Sequence, residues 1–104
     1  MALAELARLA AMDSHEVTSL DPRPPTARTA VVGEQIDGVA CIAAPGGGYE
    51  VTLYVIARPV PLRRLAANLR ERVRRSVEAH GLGDELRTVN VTVTDVVATE
   101  KADI

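Results

Sequence analysis

Phenylalanine and tryptophan are absent from the chain, and tyrosine occurs only at Tyr49 and Tyr54. A core without large rings must be built from Val, Leu, Ile and Ala. These side chains bury less area each, so the fold depends on tight packing. The same scarcity argues against a platform for single-stranded nucleic acid, because such binders stack bases on aromatic faces. Cys41 is the single cysteine, which excludes an intrachain disulfide and agrees with a reducing cytosol. Ala2–Met12 carries Glu5 and Arg8, is too short to span a bilayer and lacks a basic leader before an unbroken apolar run. It does not read as a signal peptide or an anchor, so the expected location is the cytoplasm.

Chemistry-bearing residues are as sparse as aromatics. His15 and His80 stand far apart and neither has a second ligand at metal spacing, while Cys41 lies in an apolar run. A lone buried cysteine usually acts as a small hydrophobe. Pro45–Gly48 is glycine-rich, but phosphate loops lead from a strand into a helix, and this segment joins two strand-like runs without a following Lys-Ser/Thr pair. It reads as a hairpin connection. Gly81 and Gly83 lie between a helical and a strand-like run, so they do not form the clamp of a nucleic-acid-binding KH domain. No catalytic, cofactor-binding or metal-ligating set is expected, and the chain reads as a non-enzyme.

What is present is 104 residues with 47% hydrophobic and 25% charged content, enough for one domain with one two-layer core. Ala2–Met12 is rich in strong helix formers, with Leu3, Leu6, Ala7 and Ala10 on one face. His15–Leu20 has the composition of a short strand. The loop expected over residues 21–33 opens with three prolines in four residues, which fix φ and remove donors. Val39–Ala44 and Tyr49–Ala57 read as strands. In the second, Tyr49, Val51, Leu53, Val55 and Ala57 point one way, while Glu50, Thr52, Tyr54 and Ile56 point the other.

Pro61 suits the first position of a helix that runs to about His80. Leu62, Leu65, Ala66, Leu69, Val73 and Val77 make its apolar stripe, and Gly81 stops it. The final run, residues 87–97, alternates with Val89, Val91 and Val93 inward, and residues 98–104 form a polar tail. Strand, helix and strand over residues 49–97 predict a crossover joining two parallel strands.

The predicted fold is an α+β two-layer sandwich of order α-β-β-β-α-β. A mixed sheet of three to four strands carries one long helix.

Charge is distributed unevenly. Between Pro61 and His80 six arginines stand against two glutamates, although the whole chain carries a net −2. At about 100° per residue, Arg63, Arg70 and Arg74 form a stripe beside the apolar face, while Arg64 and Arg75 lie nearer the solvent side with Glu71 and Glu78. The bland reading is a solvated helix face held by pairs such as Glu71–Arg75. The functional reading is a basic flank that binds an acidic partner, an anionic membrane surface or, less readily, nucleic acid. Tyr54 and Ile56 are the second candidate. With helices on one side of the sheet only, they offer an apolar patch for self-association, unless Ala2–Met12 or the proline loop covers them.

The stretch YEVTLYVIARPVP, then LRRLAANLRERVRRSVEAHGL, then VNVTVTDV from Val89 to Val96 resembles the alkaline-shock-protein family of Gram-positive bacteria. That family's core is a hydrophobic strand, a proline turn, a helix with spaced alanines and valines, a glycine, and a closing V-x-V-x-V-x-D-V strand. The likeness covers roughly the last half of the chain. Ala2–Met12 fits the family's first helix, but HEVTSLDPRPP stands where a Val-Gly-rich passage is usual. The resemblance implies a non-enzymatic role in stress response or cell-envelope homeostasis. It also implies self-association as a homo-oligomer and, in some relatives, attachment at the membrane through a membrane-anchored protein partner. No site residues, cofactors or small-molecule substrate come with it.

Overall fold

The computed structural model describes residues 2–22, 33–36 and 38–98. Helix α1 (Ala2–Met12) leads into strand β1 (Val17–Leu20), followed by β2 (Gly33–Ile36), β3 (Val39–Ala43) and β4 (Tyr49–Ala57). Helix α2 (Leu62–Ala79), a short 3-10 turn (Gly83–Glu85) and strand β5 (Leu86–Val96) complete the chain. The α+β class and the two-layer arrangement are those expected. The sheet has five strands rather than three or four, and both helices pack on it. The unexpected strand is β2, whose Gly-Glu-Gln-Ile sequence has too little apolar content to stand out from a loop. Most of the proline-rich segment, residues 23–32, lies outside the described residues, as does the tail from residue 99.

Strand β4 is the centre of the sheet. Along one edge it pairs in parallel with β5, opposing Val51 to Val89, Leu53 to Val91 and Val55 to Val93. That is the relation the crossover demanded. Its other edge is shared by two strands. Residues 49–53 pair antiparallel with β3, and residues 55–57 pair antiparallel with β1. Tyr54 is the point of transfer: its N–H donates to the Gly38 carbonyl (2.9 Å), and its C=O accepts from the Asp21 N–H (2.8 Å). A buried strand needs all its backbone groups paired, and here two short strands laid end to end satisfy one long one. Strand β2 then pairs antiparallel with the outside of β3.

Strand β1 carries one extra residue opposite β4 and β5 carries two, the first of them Arg87 between Leu86 and Thr88. Thr18 is extra in β1, between Val17 and Ser19. Thr94 is extra in β5, where its hydroxyl donates to the Val55 carbonyl at 3.3 Å. Such bulges bend a strand and change which face its later side chains join.

The core lies between one face of the sheet and the two helices. Val39, Cys41, Val51, Leu53, Val55, Ala57 and Val89 meet Leu65, Leu69, Val73 and Val77 of α2 and Leu3, Ala4, Ala7 and Ala11 of α1. The inward set of β4 is therefore the one its alternation predicts. The face of α1 is rotated from the expected one. Ala4 and Ala11 are buried, whereas Leu6 and Ala10 are half-buried along the side toward α2. Leu3 and three alanines make the buried stripe, and Leu6 lies beside it on the flank toward α2.

The ends of α2 follow from local sequence. Pro61 occupies the N-cap rather than the first helical position (φ −60°, ψ 112°), and its carbonyl accepts the Leu65 N–H at 3.0 Å. At the other end Gly81 has φ +77°; its N–H donates to Glu78 C=O, and the Leu82 N–H donates to Val77 C=O, both at 3.0 Å. That pair of hydrogen bonds is the Schellman arrangement, which needs a left-handed residue where glycine stands.

Candidate functional site

The arginines of α2 divide into two groups that sequence spacing only partly separates. On the side facing α1 and β1, Arg72 pairs with Asp13 at 3.3 Å and Arg64 with Glu16 at 3.6 Å. On the back, Arg75 pairs with Glu71 at 3.2 Å, the i,i+4 pair read from the sequence. Arg63, Arg70 and Arg74 are exposed, and no carboxylate among the described residues lies within ion-pair distance of them. They occupy the flank opposite α1. Because α1 covers β1, β3 and β4 while α2 lies over β5, that flank stands on the β5 side of the molecule. Exposed pairs such as Arg72–Asp13 each add well under about 1 kcal/mol. Their effect is to neutralise one side of α2 and leave its positive charge on the other.

Tyr54 and Ile56 project from the face of the sheet away from both helices, with Ala40 and Ile42 of β3 and Thr88, Asn90 and Thr92 of β5. Helix α1 does not cover them, since all its core contacts are on the other face. Most of the proline segment, the other expected cover, lies in residues 23–32, outside the described residues. Both side chains are half-buried rather than fully exposed. The same face carries Thr52, Thr88, Asn90 and Thr92, so it is mixed in polarity.

A feature that sequence reading missed is the seam between the helices. Leu6, Leu9 and Ala10 of α1 and Ala79 of α2 line a groove of about 670 Å³, edged by Asp13, Arg72, Arg75 and His80. Leu9 is 54% exposed and Met12 is 46% exposed, the largest outward apolar side chains of α1. The signal was available: Leu6 and Leu9 fall outside the alanine stripe. The residues that make the other wall come from another helix, and their proximity is not readable along the chain. Beside it, Ser14, His15, Glu16, Arg64, Asn68 and Arg72 line a cleft of about 280 Å³.

The remaining residues singled out by type stay apart. Cys41 is buried in the core, whereas His15 lines the small cleft and His80 is exposed at the end of α2 with Nδ1 2.9 Å from the Ser76 carbonyl. Among the described residues no three of His, Cys, Asp and Glu gather as a metal-binding group. No described helix is long and apolar enough to cross a membrane. The Gly-rich turn is a hairpin connection, closed by Ala44 N–H to Gly48 C=O at 2.9 Å and by Arg87 Nη1 to Gly47 C=O at 2.8 Å.

Compared with protein-family models, curated proteins and solved structures, the chain matches none.

Proposed function

We propose that this protein is a non-enzymatic module of stress response or cell-envelope homeostasis, as its resemblance to the alkaline-shock-protein family implies. It acts through self-association and protein–protein contacts, in the cytoplasm or held at the membrane by an anchored partner. The observation that supports this reading is one-sided packing. Both helices lie on one face of the sheet, and Tyr54 and Ile56 stand on the other with Ile42 and no described helix above them. Apolar side chains on an open sheet face gain from burial against a second copy.

Sedimentation velocity tests this directly. The chain is expected to form a homo-oligomer, and the paired substitution Tyr54→Glu with Ile56→Glu is expected to return it to monomer with an unchanged circular dichroism spectrum. A wild-type chain that remains monomeric up to its solubility limit overturns the reading.

A second reading is supported by Arg63, Arg70 and Arg74, unpaired among the described residues: the arginine-rich segment 61–80, α2 with its caps, binds nucleic acid or an anionic membrane surface. Reversing Arg63, Arg70 and Arg74 to glutamate is then expected to abolish salt-sensitive binding to single-stranded RNA and to vesicles rich in phosphatidylserine. If the unmodified chain binds neither probe at low salt, this second reading is wrong.

A further inference from the structure

Strand β5 has one edge that no described strand covers. Its backbone groups can be assigned from the ladder. Tyr54 serves the β3–β1 edge, so Val51, Leu53, Val55 and Ala57 serve β5. In a parallel pair each of these bonds to the neighbours of the residue opposite it. The N–H and C=O groups of Thr88, Asn90 and Thr92 therefore turn toward β4. Those of Val89, Val91 and Val93 turn outward.

An open edge of this length is a template for strand addition, and natural proteins usually protect one with proline, lysine or a covering element. Between Thr88 and Thr94 β5 has no proline and no charge. What stands beside it is the flank of Arg63, Arg70 and Arg74.

We propose that the outer edge of β5 takes an extended acidic segment of a partner protein as an added strand, its carboxylates paired with Arg63, Arg70 and Arg74. This rests on the protein–protein reading of function and names the chemistry of the partner. The spacing suits it. The three arginines span about 16 Å along α2 at 1.5 Å per residue. Side chains on one face of an added strand repeat about every 6.8 Å, so acidic residues at i, i+2 and i+4 span about 14 Å. Backbone bonds to Val89, Val91 and Val93 supply the contact, and the charges select the strand.

The same geometry disfavours a second copy. Antiparallel pairing of two β5 edges would place both α2 helices on one face of the joined sheet and bring two arginine flanks together without carboxylates between them. Homo-association is thereby steered to the opposite face, away from this edge.

The test uses the full chain and a nonapeptide of alternating Val and Glu, with a Lys-for-Glu version and a version carrying proline at its centre. Amide hydrogen exchange by NMR is expected to show Val89, Val91 and Val93 newly protected by the acidic peptide, with Thr88, Asn90 and Thr92 unchanged. The lysine and proline peptides, and the Arg63→Glu/Arg70→Glu/Arg74→Glu chain with the acidic peptide, are expected to bind at least about tenfold more weakly.

Binding without protection of those three amides overturns the inference, as does equal binding of the lysine peptide. So does tighter binding of single-stranded DNA or anionic vesicles that leaves the amides unprotected. Protection of the same amides in the free protein also overturns it, because the edge is then already occupied. A monomeric chain that binds the acidic peptide keeps this inference and removes self-association. An oligomer with unprotected edge amides in the peptide's presence does the reverse.

Discussion

Gly38→Ala is expected to destabilise the protein by about 2–5 kcal/mol, a large share of the 5–15 kcal/mol typical of a domain. Two costs combine. Gly38 has φ +80°, a left-handed conformation that costs an L-residue about 1–2 kcal/mol. A Cβ built there would also collide with the Cβ of Leu20. That atom is fixed to the backbone of β1, so no rotamer change relieves the contact, and overpacking of this kind costs about 1–3 kcal/mol.

The position makes the collision consequential. The carbonyl of Gly38 accepts from Tyr54 N–H, and Tyr54 C=O accepts from Asp21 N–H just after β1. A shift that relieves the clash therefore disturbs both strands on that edge of β4. Urea unfolding measures the effect, and Gly81→Ala is the control. Gly81 has φ +77°, close to that of Gly38, with no atom within 4 Å of an added Cβ, so it bears the conformational cost alone. If Gly38→Ala is no worse than Gly81→Ala, the close approach of Leu20 has no energetic weight. Leu20→Gly removes the colliding atom, so the double variant is expected to lose less than the sum of the two single changes.

The dependence on Gly38 marks where sequence reading reached its limit. Period-two alternation in Tyr49–Ala57 fixed which residues of β4 face inward, because a slip by one residue would expose Val51, Leu53 and Val55 together. The helical stripe was legible for the same reason in Leu65, Leu69, Val73 and Val77, although Leu62 and Ala66, expected in it, are exposed and half-buried at its start, and Gly81 ended α2 as its position required. These are local signals repeated over several residues.

The shared edge of β4 is a different kind of feature. That β1 and β3 lie end to end depends on which segments meet across more than thirty residues, and neither periodicity nor composition encodes that pairing. Gly38 was unremarkable in the sequence because its role is set by Leu20, a residue in another strand. Strand β2 escaped notice because its stabilisation comes from pairing with β3, not from its own side-chain pattern.

The candidate surfaces divide along the same line. The stripe of Arg63, Arg70 and Arg74 follows from 100° per residue, so it was visible in the chain. That Arg64 and Arg72 are neutralised by Glu16 and Asp13, leaving that stripe as the exposed positive flank, depends on where α1 and β1 pack. The outward edge of β5 likewise depends on its being the terminal strand of the sheet. Tyr54 and Ile56 were placed on the correct face by alternation, but their partial burial is not encoded in it. The sequence carries the faces of each element; assembly decides which faces stay open.

Leu53→Ala should cost about 3–5 kcal/mol, the upper part of the usual range for a buried leucine. Leu53 is fully buried in the central strand, opposite Val39 of β3 and Val91 of β5, beneath the two helices. Loss of its methyl groups leaves a cavity, and the cost depends on how far the surroundings close it. Here they close it little. The neighbours are valines, alanines and leucines already in a close-packed core, and the ring packed against that core, Tyr49, stands four residues away at the start of β4, about 13 Å along the strand. Leu62→Ala is the contrast: Leu62 is 41% exposed at the start of α2, and its loss should change stability by less than about 1 kcal/mol. The urea midpoint should fall for Leu53→Ala with the slope unchanged, showing loss of stability without a change in the surface exposed on unfolding. Equal midpoints for the two variants would mean that the core does not rest on β4. The substitution also separates stability from association, because Leu53 and Tyr54 point to opposite faces of one strand. Under conditions where most molecules remain folded, Leu53→Ala should retain the oligomeric state of the wild type, whereas Tyr54→Glu with Ile56→Glu should lose it while keeping its urea midpoint within about 1 kcal/mol of the wild-type value.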